Sequence, residues 1–299
     1  MKKIFIPITI LVLVISNFHY YSKISLYDLY EKLDYSIVNN ESYYQKENTK
    51  ENYSSKIKYL DKDTVNNLDE IYSMFYTVLN NGYEIYSFKC TYNCIKDLEY
   101  IDKDKLSVIN QLVSVKNSYK TIETSYDTDY KVTLKVINTY TNEEKEKINN
   151  EIDRLIIELK VNNYPSIEDK IKVFHDYVAD HSIYDSVRAE TGTSEYNSNK
   201  ATGPLFEGMG ICDGYTDALS FYLDKLGLEN IKVTNNEHVW NAVKLNGIWY
   251  HIDLTWDDPI YTNGMQYTIH DYFMLTTNEL INKNDDEHNF DESIYDFIK

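Results

Sequence analysis

Three residues in the second half of the chain have the types that acyl transfer requires. Cys212 lies in GICDGYTDALSFYLDKLGL (210–228), and His238 and Asp253 lie in EHVWNAVKLNGIWYHIDLTWDD (237–258). A thiolate can attack a carbonyl carbon, an imidazole can carry the proton, and a carboxylate can orient the ring and stabilise its charged form. Each residue also has a plain structural reading. Cysteine is often a small core residue, and an exposed His–Asp pair contributes little.

The elements around them decide how these residues are placed. Ala218, Leu219, Tyr222, Leu223 and Leu226 recur at helical spacing, and Gly227 suits the left-handed position past a helix end. Cys212 therefore falls in the first turn of a helix, where backbone N–H groups and the positive dipole end favour a thiolate and an oxyanion. Downstream, Asn246-Gly247 between two alternating runs reads as a β-hairpin that pairs Leu245 with Ile248. Stepping outwards pairs Trp240 with Asp253 and His238 with Thr255. Side chains alternate. One face (Val239, Asn241, Val243, Leu245, Ile248, Tyr250, Ile252, Leu254) is expected to be core. The other carries His238, Trp240, Asp253 and Thr255, with His238 and Asp253 as diagonal neighbours. His251 shares that face and is a competing base, although it lies deeper, opposite Ala242. Asp257 and Asp258 are a competing acid or a turn cap before Pro259. His175 and His181, on the preceding helix, read as structural or exposed.

Three blocks, GPLFEGMGICDGYTDALSFYLDKLGL, HVWNAVKLNGIWYHIDLTWDDP and HDYFMLTTNEL, occur in order. Together they resemble the transglutaminase-like superfamily, in its bacterial, kyphoscoliosis-peptidase-like branch, over about residues 166–280. IKVFHDYVADHSIYD is similar to the helix that precedes the core there. The resemblance implies an α+β, papain-like fold with the cysteine helix packed on an antiparallel sheet. It also implies Cys212 as nucleophile, His238 as base and Asp253 as orienting acid, acting on protein or peptide amides. The chemistry needs no metal or cofactor. One feature departs from the papain-like pattern: no glutamine lies between Gln111 and Gln266 to serve as an oxyanion donor.

The rest of the chain sets the context. With 299 residues and a formal charge of −18, the protein repels nucleic-acid phosphates and anionic membranes. MKKIFIPITILVLVIS, residues 1–16, has a basic end and an apolar run too short to span a bilayer, so it reads as a secretory signal, with an N-terminal anchor as the alternative. The protein is then expected outside the cell or on its surface, touching membrane only through this segment. Residues 17–60 read as a linker or loosely ordered segment, 61–163 as a small α+β region, and 164–299 as the transglutaminase-like domain. Cys90 and Cys94 could close a small disulfide loop in an oxidising compartment, which would leave Cys212 as the odd cysteine. The polar stretch 186–203 stands where a substrate-binding or lid loop could lie. Two other classes remain open at this level. One is a non-catalytic surface-binding module on the same fold; the other is a metal hydrolase using His251, Asp253 and Asp257, which has few ligands from a single hairpin.

Overall fold

Hydrophobic alternation over residues 119–138 closes a hairpin, and that hairpin centres the first sheet. The computed structural model describes residues 38–40, 57–101, 103–235, 237–259 and 267–298. The expected targeting segment and most of residues 17–60 lie outside these. In chain order the first half forms β1 (Val38–Asn40), β2 (Thr64–Val65), α1 (Leu68–Asn80), β3 (Ile85–Cys90), α2 (Ile95–Glu99), α3 (Lys103–Leu112), β4 (Tyr119–Tyr126), β5 (Lys131–Asn138) and α4 (Asn142–Glu158). The second half forms α5 (Ile167–His181), β6 (Ile183–Tyr184), α6 (Ser186–Thr191), β7 (Met209–Gly210), α7 (Cys212–Lys225), β8 (Asn230–Thr234), β9 (Val239–Leu245), β10 (Ile248–Ile252) and α8 (Thr277–Lys283). The chain is a mixed α+β protein.

The first sheet runs β1-β4-β5-β3-β2, antiparallel except for the β2–β3 pair. Thr64 and Val65 pair with Lys89 and Cys90, and Asn67 then caps α1 by accepting the Glu70 N–H. Val38–Asn40, within the stretch read as a linker, pairs with Ile122–Thr124 as an edge strand. Cys90 and Cys94 form a disulfide. Ile71, Phe75, Phe88, Leu134 and their neighbours fill the core of this unit.

A second core gathers α4, α5 and α7 around one face of the three-stranded sheet β10-β9-β8. Ile148, Ile152 and Leu155 place α4 here, and Phe174 of α5 stacks on Tyr222 of α7 with ring centroids 4.0 Å apart. The other face of the sheet is buried as well. Trp240, Ala242 and Trp249 pack against Leu280, Ile294 and Tyr295 of the C-terminal segment. The expected core face is buried except near the turn, where Ile248 is exposed, and the opposite face is core as well. A period-2 pattern cannot show a polar-looking face that is covered by residues distant in sequence.

The polar stretch before Cys212 does not form a simple lid. Its N-terminal part is the short helix α6, and its end is pinned under α7. Ser198 is fully buried, its carbonyl accepts the Ile211 N–H at 2.8 Å, and Arg188 donates to its hydroxyl. A Cβ on Gly214 would lie 2.2 Å from that same carbonyl oxygen, so the first turn of α7 can approach only as glycine. Gly227, at φ +74° with open space around it, needs its glycine only for conformation. Gly214→Ala is therefore expected to cost about 2 kcal/mol or more and Gly227→Ala about 1 kcal/mol. Urea-unfolding midpoints of the two variants check the order.

Candidate active site

The Cys212 side chain begins α7. Ile211 occupies the N-cap with no side-chain hydrogen bond, so the helix end is capped by no acceptor of its own. Cys212 is 7% exposed and lies outside the disulfide. It lies close enough to the His238 imidazole to help raise that ring's pKa. Strand β9 is fastened to α7 a single turn further on. Thr216 Oγ1 donates to the Val239 carbonyl at 3.1 Å, and Asn241 Nδ2 donates to the Thr216 carbonyl at 3.0 Å and to Ser220 Oγ at 2.8 Å. The hairpin register is Leu245↔Ile248 through Asn241↔Ile252, as the Asn-Gly turn requires.

His238 and Asp253 stand just beyond the paired ends of β9 and β10. Asn235 Oδ1 accepts the N–H groups of Glu237 and His238, a turn that holds the histidine backbone in place. His238 Nε2 lies 2.5 Å from Asp253 Oδ2. Nδ1 is the ring nitrogen left for the thiol. Asp253 Oδ1 accepts the N–H groups of Thr255 at 2.9 Å and Trp256 at 3.2 Å, and the residue is 2% exposed. Burial opposes charge on both groups. Even so, the charge and hydrogen bond of Asp253, with Cys212 alongside, push His238 up to about 10. Burial of Asp253 is likewise outweighed by His238 and His288, which hold its carboxyl well below the usual carboxylate range.

A cleft of about 400 Å³ opens beside His238, lined by Tyr184, Thr255, Trp256, Asp258, Pro259 and Glu287. Tyr184 reaches it because β6 pairs with β7, setting Tyr184 opposite Gly210, two residues before Cys212. Burial first, and then the charge of Cys212, push its phenol up to about 12. Tyr215 of α7 donates to Asp258 Oδ2 at 2.6 Å and ties the cleft rim to the cysteine helix.

The competing residues are placed elsewhere. His251 Nδ1 accepts the Trp240 indole N–H at 2.9 Å, and Nε2 lies 3.1 Å from Thr277 Oγ1, so both ring nitrogens are engaged within the core. Asp257 faces His175 Nε2 at 3.3 Å and accepts the Tyr272 N–H at 2.9 Å. His251, Asp253 and Asp257 therefore do not converge as a metal set. His175 is fully buried and His181 is exposed. Among the described residues, two His/Asp groups hold ligand-type atoms within 4.8 Å of one another: His175, Asp176 and His270, and His238, Asp253 and His288. In the first, Lys172 already contacts both Asp176 and His270. In the second, Asp253 Oδ2 is shared by two imidazoles, as His288 Nε2 lies 2.8 Å from it. No local sequence pattern marks His288. It is 35 residues from Asp253 and sits in a polar stretch without periodicity.

No family model matches the chain, and no curated protein matches it. Two solved structures are similar to it over 50% of its length. One, a TGase, shares 19% identity with a TM-score of 0.36, and the match spans 47% of that chain. The other, a protein of Cytophaga hutchinsonii provisionally assigned as a cysteine protease, shares 11% identity with a TM-score of 0.29, and the match spans 60% of it. The chain thus spans about half the length of the solved structures it matches.

Burial, followed by the charge of His288, pushes His251 down to about 3, below its ordinary 6.5. The unfolded chain binds this proton first, so the contribution of neutral His251 is complete above pH 6.5 and is lost as pH falls towards 3. His251→Gln, which keeps a donor and an acceptor but does not titrate, is expected to cost about 1 kcal/mol at neutral pH and to flatten the acid-side loss of stability. Urea unfolding across this pH range measures both effects.

Proposed function

We propose that this chain is an exported, transglutaminase-like cysteine enzyme that acts on protein or peptide amides by acyl transfer. One observation carries the reading. A single imidazole, His238, is bonded to a buried carboxylate and lies beside the thiol that opens a helix, at the edge of a cleft. The three sequence blocks that resemble the transglutaminase-like superfamily support it. The signal-like residues 1–16 support export.

The steps follow from the residue chemistry. Cys212 Sγ attacks the carbonyl carbon, forming a C–S bond while His238 holds the thiol proton. N–H groups of the first turn of α7 receive the developing oxyanion. The C–N bond then breaks as His238 passes the proton to the departing amine, which leaves a thioester on Cys212. Water or a second amine attacks the thioester, His238 takes the proton of that nucleophile, and the thiol is restored. Asp253 keeps the ring in the orientation this exchange needs.

The test is incubation of the mature protein with a peptide library, with and without a labelled primary amine. Cut peptides would show hydrolysis, and amine-tagged peptides would show cross-linking. Cys212→Ala is expected to abolish either product while leaving the unfolding transition in place, and Asp253→Asn to leave a small residue of activity. Wild-type turnover in Cys212→Ala would contradict the proposal. A wild-type protein that gives neither product, and binds peptide unchanged, would favour a non-catalytic module instead.

A further inference from the structure

Asp253 faces a second imidazole that the steps above do not use. The His288 side chain is 1% exposed, with Nε2 2.8 Å from Asp253 Oδ2 and Nδ1 2.7 Å from Asp285 Oδ1. Hydrogen-bond inventory sets its protonation. Asp253 Oδ1 is filled by two backbone N–H groups, and an ionised carboxylate only accepts, so the Nε2 atoms of His238 and His288 both donate to Oδ2. Asp285 also accepts the His288 backbone N–H at 2.9 Å and the Tyr272 hydroxyl at 3.0 Å. Burial opposes its charge, but its bonds to His288 hold its carboxyl below the usual range. Asp285 is thus an acceptor as well, and His288 carries a proton on each nitrogen.

The surroundings suit a cation. Tyr272 stacks on the His288 ring with centroids 4.5 Å apart, and Trp240 and Trp256 approach it at 5.0 and 5.1 Å. The other titratable groups around it come from four directions. His238 meets it edge-on at 5.4 Å from the mouth of β9. His251 of β10 is neutral between Trp240 and Thr277. Glu287, on its own segment, accepts the Trp256 indole N–H at 3.2 Å, and Lys283 of α8 lies over the far Tyr272 ring at 4.8 Å.

We propose that His288 is a positioning residue of this site: an imidazolium clamped by Asp285 that aims the Asp253 carboxylate at His238 and offsets part of its charge. The proposal rests on the reading of Cys212, His238 and Asp253 given above. Its consequence is a tuned base. A buried aspartate acting alone would hold the His238 proton too firmly for delivery to a leaving amine. A second cation on the same carboxylate oxygen weakens that hold, because like charges disfavour one another.

The experiment is 15N NMR of the histidine rings in the full-length protein. The wild type is expected to show both His288 nitrogens protonated at neutral pH, and a singly protonated ring would overturn the proposal. In His288→Gln, whose amide can still donate to Asp253 without charge, the pH at which His238 loses its proton is expected to rise by about one unit. Where wild-type His238 is half deprotonated, the variant would then keep about nine-tenths of its proton. An unchanged or lowered His238 titration would overturn the proposal even in a destabilised variant, since a purely structural histidine does not set that charge. Should His288→Gln fail to fold, Asp285→Asn carries the test. Loss of the outer carboxylate is expected to make His288 give up its second proton at lower pH, and an unaltered His288 titration would contradict the clamp. None of these readouts uses turnover, so a protein that titrates as expected yet transforms no peptide would sink the enzyme and leave the clamp standing.

Discussion

A buried carboxylate in the second half of this protein has to be satisfied, and Asp253 is satisfied from four directions. Two backbone N–H groups bind one oxygen and two imidazoles bind the other. An unpaired charge at 2% exposure would be far too costly to keep. The chain must therefore turn immediately after β10 so that Thr255 and Trp256 present their N–H groups. The same turn carries Trp256, Asp258 and Pro259 to the rim of the cleft. Fold and site meet at this one side chain.

The other half of the site depends on close approach. Helix α7 can bring Cys212 to the mouth of the hairpin because glycine at 214 lets it rest on the Ser198 carbonyl. Thr216, Ser220 and Asn241 then tie the helix to β9, and Tyr215 ties it to Asp258. These bonds are short in sequence from Cys212 and His238, so the separation of thiol and imidazole is set locally. Burial of both sheet faces, against α7 on one side and the C-terminal segment on the other, holds that arrangement rigid.

What could be read from the sequence was what local rules govern. The apolar stripe and Gly227 marked a helix beginning at Cys212, and Asn246-Gly247 fixed a register in which His238 and Asp253 come together. Spacing alone left His251 as a rival base, because a period of two says which face a residue occupies and not what covers it. Only the packing of Trp240 and Thr277 shows that its nitrogens are already taken. His288 and Asp285 were missed for the same reason, since they lie beyond α8 from Asp253 and no periodicity links them to it. Edge strand β1 was missed because three residues carry too little pattern to separate a strand from a linker.

The claim at the centre of this account is that the Cys212 thiol and the His238 imidazole work as one unit. The most direct measurement is the alkylation rate of Cys212 by iodoacetamide around pH 6, compared among the native protein, the urea-unfolded chain and native His238→Ala. A paired thiol is expected to react at least about tenfold faster in the native wild type than in either reference. Equal rates in all three would mean that His238 does nothing to the sulfur, and the acyl-transfer account would fail.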